Sequence, residues 1–230
     1  KMNPYDLYAI ETALRIREKM GGTVQVISMG PPQAKQVIRE AFAMGADAGT
    51  LLSDRRFGGA DVLATSYALA QGIMADGQFD LILCGKQTTD GDTAQVGSEI
   101  SENLHIPSVS NVLKIREVTR DSITVDMDLP EEIEQVKVKF PCLLAVEKDI
   151  FQPRLPSYVK KMATKDREIK VLTLDDMKDQ DEMHYGLNGS PTQVVKIFPP
   201  EVNFEKESWE GSGEELAEKL FDKIVELKFI

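Results

Sequence analysis

Apolar residues along the first part of the chain fall at two alternating spacings. Leu7, Ile10 and Leu14 follow Asn3-Pro4 at helical spacing, and Gly21-Gly22 comes next. Asn3 suits an N-cap, Pro4 suits the first helical position and glycine suits a stop, so a helix is predicted there. Thr23–Met29 is a run rich in β-branched residues and reads as a buried strand. Pro31-Pro32 opens a second helix through Val37, Ile38, Ala41 and Met44 to Gly45, and Thr50-Leu51-Leu52 is a short strand. Asp61–Met74 reads as a third helix with Leu63, Tyr67, Ala70 and Ile73 inward. Phe79–Cys84 is a strand ending at Gly85. Strands alternating with helices predict right-handed crossovers and a parallel sheet with helices on both faces. Ligands of such sheets bind outside the carboxyl ends of strands. That directs attention to Ser28–Pro32, Ser53–Thr65 and Gly85–Gly97.

After Pro107 the period shortens to two. Val109–Val118, Ser122–Asp126, Ile133–Phe140 and Cys142–Glu147 are predicted as antiparallel strands. Asp149–Arg167 reads as irregular, with Pro153, Pro156 and a basic group at Lys160, Lys161, Lys165 and Arg167. Asp175–Glu182 is acidic and expected at the surface. Gly186–Pro200 reads as an extended arm, and Glu214–Lys228 as an amphipathic helix with Leu216, Leu220, Ile224 and Leu227 on one stripe. The expected division is an α/β domain over 1–185 and an arm with a helix over 186–230.

Composition narrows the function. The 230 residues are 42% hydrophobic, enough for a core without staples. The 38 acidic residues against 27 basic give a net charge of −11, which argues against a nucleic-acid surface and against anionic lipid. No apolar run approaches the roughly 20 residues of a membrane span, and with no charged segment leading into an apolar one at the start, no secretory signal is expected. Cys84 and Cys142 lie in separate apolar strands, which excludes a disulfide framework, and no His-Cys cluster offers a zinc site. A soluble protein of a reducing compartment, cytoplasmic, is expected.

Neither His105 nor His184 has a nucleophile or metal partner nearby in sequence, so a histidine-based hydrolase is disfavoured. Gly85-Lys86-Gln87 lacks the remaining residues of a P-loop. The dense feature is Cys84–Gly97, which leaves a buried strand, crosses a polar loop and enters a helix. Asp90 or Asp92 can cap that helix, and free amides around Gly91, Thr93 and Ala94 would face the strand ends at its positive pole. That arrangement suits a phosphate or pyrophosphate. Thr88, Thr89 and Thr93 add hydroxyls, and Gln87 and Gln95 add amides able to read an adenine edge or a ribose. An ordinary capped helix behind a solvated loop is the other reading of the same residues.

Asn3-Pro4-Tyr5-Asp6, Met29-Gly30-Pro31, Ala43-Met44-Gly45-Ala46-Asp47 and Gly85–Gly97 occur in one order. Together they resemble the β subunit of electron-transferring flavoproteins. Pro153-Arg154, Ser157-Tyr158, Lys161-Met162 and Gly189-Ser190-Pro191-Thr192 fit as well, so the resemblance covers nearly the whole chain. Family members carry a strand and hairpin before the Asn-Pro motif, and the sequence is expected to lack that first strand.

The resemblance implies an α/β fold like that of adenine nucleotide hydrolases. It also implies a heterodimer with an α subunit that holds FAD. The β subunit binds AMP or a second FAD. In the second, bifurcating branch it takes an electron pair from NADH. One electron goes to ferredoxin or flavodoxin and the other, through the α-subunit FAD, to an acyl-CoA dehydrogenase-like or lactate dehydrogenase-like flavoenzyme. The small residues of Asp90–Gly97, with Ser53-Asp54-Arg55 and Gly59–Thr65, look like this branch.

Carried over residue by residue, Asn3, Pro4, Tyr5 and Asp6 match the stretch near adenine and ribose, and Met29 stands beside the pocket. Gly85, Lys86, Gln87, Thr88, Thr89, Asp90, Gly91, Asp92, Thr93, Ala94, Gln95 and Val96 match the phosphate and ribose loop. Ser53, Asp61 and Thr65 stand at its margin. Pro153, Arg154, Tyr158, Lys161 and Met162 match the arm that anchors a partner dehydrogenase, with Tyr158 at the apolar anchor. An unrelated AMP- or ATP-binding module would explain the residues up to Gly97 but not the arm or the last helix.

Overall fold

The computed structural model describes residues 2–199 and 206–229. Strands β1 (Gln25–Met29), β2 (Ala48–Leu52) and β8 (Lys170–Leu172) form a parallel sheet in the order β1-β2-β8. Helices α1 (Pro4–Met20), α2 (Lys35–Met44) and α3 (Val62–Asp76) cover it. Successive strand residues point to opposite faces, so neighbours in sequence separate. Val26 and Leu51 pack with Ile10, Leu14, Ile38 and Phe42 of α1 and α2. Ile27 and Leu52 pack with Ala68 of α3 and with Leu172.

The second sheet has the order β3-β7-β4-β5-β6. It contains β3 (Leu81–Gly85), β4 (Ser108–Val118), β5 (Ser122–Asp128), β6 (Ile133–Lys139) and β7 (Cys142–Val146). β4, β5 and β6 are antiparallel neighbours, as predicted. β7 is not antiparallel. It runs parallel to both β3 and β4, with Gly85 opposite Val146. Its five residues are all buried, and a strand covered on both faces reads as a continuous apolar run rather than as alternation.

Two further differences have local causes. Leu63 is 50% exposed rather than inward, because α3 packs on its small residues Ala64, Ala68 and Ala70. Asp149–Arg167 is not wholly irregular, since it holds the short helix α5 (Tyr158–Ala163), which starts at Ser157. A helix this short depends on tertiary bonds. Ser157 N donates to Ala43 O at 2.9 Å and Lys160 Nζ to Met44 O at 3.2 Å. Arg17 donates to Gly45 O at 2.9 Å and Arg167 to Ala46 O at 2.8 Å. Three cations thus meet the negative end of α2. The acidic stretch Asp175–Glu182 lies mostly at the surface, as expected, and is held there by specific contacts. Met177 is buried, Asp175 pairs with Arg56, and Asp179 accepts from the Tyr67 hydroxyl and pairs with His184, which lies at the surface.

The chain divides into compact units that meet between Gln193 and Val194, later than Tyr185. Asp61 explains the shift. It caps α3 through Ala64 N at 3.1 Å and accepts from Thr192 N and Oγ1 at 3.0 and 2.7 Å, while its own N–H donates to Ser190 Oγ. The root of the arm is thereby fastened to the first unit. Pro200, where the expected arm ends, lies outside the described residues. In the second unit α6 (Gly213–Glu226) opens with a reciprocal cap between Ser212 and Glu215. Leu220 and Leu227 on its predicted stripe are more than half exposed within this unit. Among the described residues no helix is long and apolar enough to cross a membrane.

Gly49 on β2 lies against α2, and a Cβ there would fall 3.1 Å from Phe42 Cζ and closer still to Ile38. Gly49→Ala is expected to lower the unfolding free energy by about 1–3 kcal/mol, read from the midpoint of urea denaturation.

Candidate functional site

The first turn of α1 grips the end of β3. Asp6 Oδ1 accepts the Gly85 N–H at 3.0 Å, and Asn3 Nδ2 donates to Asp6 Oδ2 at 3.2 Å and to Gln87 O at 3.0 Å. The approach is close. A Cβ on Gly85 would lie 2.5 Å from Tyr5 Cβ and 2.7 Å from the Tyr5 carbonyl carbon, so only glycine permits it. Burial pushes the Asp6 carboxyl above its ordinary range, and the bonds from Gly85 and Asn3 offset this only in part.

Asn3 occupies the N-cap position ahead of Pro4, yet its side chain makes no cap bond. Both groups beside its Nδ2 are acceptors, which fixes the amide's orientation. Asn3 Oδ1 is buried and has no hydrogen-bond donor among the described residues. A buried acceptor left so costs about 1–3 kcal/mol. A ligand donor such as an exocyclic amine would relieve it.

The loop beyond is anchored at its base and open above. Lys86 N continues the sheet to Val146 O at 2.9 Å, and Lys86 Nζ pairs with Glu147 Oε1 at 2.5 Å. Gln87 Nε2 donates to Asp92 Oδ1. Gly91 N donates to Asp90 Oδ1 at 2.8 Å and to Thr88 Oγ1 at 3.4 Å. Helix α4 (Val96–Asn103) follows with Gln95 at its N-cap position and no side-chain cap bond. Neither Asp90 nor Asp92 caps it, because their carboxylates are taken by Gly91 N and Gln87 within the loop. The first-turn amides of α4 therefore carry no side-chain acceptor at the positive end of the helix. Thr88, Thr89, Thr93 and Gln95 are exposed around them, and Val96 is half-buried. Asp92 and Ala94 hold φ of 51° and 54°. That is the left-handed region, which costs non-glycine residues roughly 1–2 kcal/mol each.

These residues fit an adenine nucleotide, with the Asn3 acceptor for a base amine and the α4 amides for an anion. The structure brings Asn3, Pro4, Tyr5 and Asp6 together with the base of the Gly85–Val96 loop. Met29 is half-buried at the end of β1, packed beside Leu52. Ser53 N bonds Leu172 O at 2.9 Å, and Thr65 N bonds Asp61 O. No hydrogen bond links Ser53, Asp61 or Thr65 to the loop among the described residues. Asp61 serves the root of the arm instead.

In the predicted partner arm, Arg154 is committed to its own chain. Its Nε meets Glu11 Oε2 at 2.8 Å and its Nη1 meets Glu18 Oε1 at 2.6 Å. Burial raises the Glu11 carboxyl, but the hydrogen bonds from Arg154 and Arg15 outweigh it and hold the group at about 2. Pro153 is half-buried. Tyr158 is 75% exposed, and Leu155, Lys161 and Met162 are exposed too. Of the predicted basic group, Lys160 and Arg167 are engaged by carbonyls at the end of α2, whereas Lys161 and Lys165 are exposed. Sequence reading missed Glu11 and Glu147. Glu11 had a signal, as a charge between Ile10 and Leu14 on an apolar helix face.

Comparison with known proteins supplies the family. An electron transfer flavoprotein domain matches residues 1–177. The chain belongs to the electron transfer flavoprotein family, as a β subunit. The electron transfer flavoprotein subunit beta of Thermoanaerobacterium thermosaccharolyticum is 45% identical over 225 residues, 97% of this chain and 85% of that protein. That of Clostridium acetobutylicum is 44% identical over 229 residues, 100% of this chain and 87% of the relative. Caffeyl-CoA reductase-Etf complex subunit CarD of Acetobacterium woodii is 42% identical over 231 residues, 100% and 87% respectively.

The Glu11–Arg154 pair makes an acid-side prediction. A carboxyl held at about 2 against 4.5 when free contributes stability that is full above 4.5 and is lost as pH falls toward 2. Urea denaturation should show that decline. Glu11→Gln should flatten it and cost about 3 kcal/mol at neutral pH.

Proposed function

We propose that this β subunit pairs with an α subunit and binds FAD at the Gly85–Val96 loop. In this reading it takes an electron pair as hydride from NADH. One electron goes to ferredoxin or flavodoxin, and the other reaches a partner flavin dehydrogenase through the α-subunit FAD. The observation that carries the reading is the buried acceptor Asn3 Oδ1 set beside a loop that leads into an uncapped helix N-terminus. The flavin, when bound, supplies the hydride acceptance and one-electron release.

The chain's own residues bind and orient. Asn3 receives the base amine, and Thr88, Thr93 and the α4 amides hold the diphosphate. Gly91 leaves space beside the loop, since a Cβ there would meet only Thr88 Oγ1, at 3.7 Å, although its N–H is held by Asp90 and Thr88. AMP would use the same Asn3 acceptor and the same amides, and is the second reading. The exposed turn with Leu155, Tyr158 and Met162, fixed from behind by Arg154 and Lys160, suits an anchor for the dehydrogenase. A reductase partner is extended to this chain from the Acetobacterium woodii relative, a subunit of a caffeyl-CoA reductase-Etf complex.

Flavin per αβ heterodimer decides between the two nucleotides. Two are expected, falling to one when Gly91→Glu and Thr93→Glu are combined. A count of one in the unmodified protein would leave AMP. For the arm, Tyr158→Ala should lower the dehydrogenase-dependent rate by about tenfold or more, while NADH still reduces flavin in a half-reaction. Loss of that half-reaction would contradict the placement of the arm.

A further inference from the structure

A groove of about 450 Å³ lies between α1 and β4, away from the nucleotide loop. Its apolar floor includes Ile16, Ile115 and Phe151, and its charged rim includes Arg15, Lys19 and Arg116. The charges are arranged unequally with respect to solvent. The Arg15 side chain is 48% exposed while its partner Glu11 is 1% exposed, and Arg116 is 46% exposed while its partner Asp126 is 8% exposed. The cations thus face outward over anions that face inward. Lys19, in the last turn of α1, is exposed and forms no ion pair among the described residues. Glu18 is the one acidic residue lining the groove, and Arg154 holds it at 2.6 Å. Arg15 lies 4.6 Å over the Phe151 ring, an arrangement that keeps an aromatic face and a cation side by side.

We propose that this groove docks an acidic protein segment carrying an apolar side chain. On a chain of net charge −11, a local positive rim has no bearing on solubility and is selective for an anionic partner. A nucleic acid or an anionic lipid surface extends well beyond the groove over a chain of net charge −11, whereas a short acidic segment with an aromatic residue meets only the cationic rim and the Ile16, Ile115 and Phe151 floor. The groove adjoins the exposed 153–162 turn through Phe151 and Arg154. The inference does not depend on that turn's role or on any flavin.

The test is fluorescence anisotropy with the full chain and a short labelled peptide alternating Glu with Phe, alongside its Lys-for-Glu counterpart. The acidic peptide should bind and the basic one should not, and binding should weaken as salt shortens the roughly 10 Å screening length of 0.1 M solution. Lys19→Glu should weaken it about fivefold, the scale of one exposed charge pair. Phe151→Ala should also weaken it. Arg116→Gln leaves Asp126 unpaired, so Lys19→Glu, at an exposed unpaired site, is the variant that decides if Arg116→Gln fails to fold. Equal binding of both peptides, unchanged affinity in Lys19→Glu, or tighter binding of a single-stranded oligonucleotide or a phosphatidylserine vesicle would overturn the proposal.

Discussion

A half-buried carboxylate holds the site together. Asp6 stands in the first turn of α1 and bonds the Gly85 amide, so the start of one helix is fixed to the end of a strand far away in sequence. Its burial is costly to the charged form, and the shift of its carboxyl records that cost. The contact fixes where Asn3 sits, and Asn3 in turn bonds Gln87 at the foot of the loop. The loop itself is weakly bonded and exposed, with two non-glycine residues in the left-handed region. Strain of this kind persists where the surroundings enforce it. Here the enforcement comes from the clasp below and from α4 beyond.

A second set of contacts presents the segment proposed as the partner anchor. The carbonyls at the end of α2 draw Arg17, Lys160 and Arg167 onto one helix end, and Arg154 draws the turn before α5 onto α1. Both fastenings lie on the inner side of α5. The outer side keeps Tyr158, Val159 and Met162 in solvent. A rigid backing with apolar side chains left outside limits the ordering entropy that binding would otherwise cost.

Much of this was legible in the sequence. The alternation of helical and strand spacing gave the parallel sheet, and Cys84–Gly97 stood out as the polar exit from a buried strand. What was not legible depends on contacts distant in sequence. The apolar run Cys142–Val146 carries no mark of its direction, which is set by its insertion between β3 and β4. Asp90 and Asp92 have the right chemistry to cap α4, but Gly91 and Gln87 compete for them within the loop. Asn3 has the right chemistry for a cap as well, yet Gln87 lies within reach once α1 is fixed against β3. Arg154 reads as a free arginine until Glu11, a charge on an apolar helix face, is placed beneath it. Local chemistry named the participants in each case, and packing chose the partners.

The central claim is that Asn3 Oδ1 and the first-turn amides of α4 hold the two ends of one adenine nucleotide. A crystal structure of the protein with its bound nucleotide tests this most directly. The account predicts the base amine within hydrogen-bond distance of Asn3 Oδ1 and a phosphate oxygen on the amides of Val96 to Ser98. A nucleotide bound elsewhere, with Asn3 Oδ1 satisfied by a protein group or left empty, would contradict it.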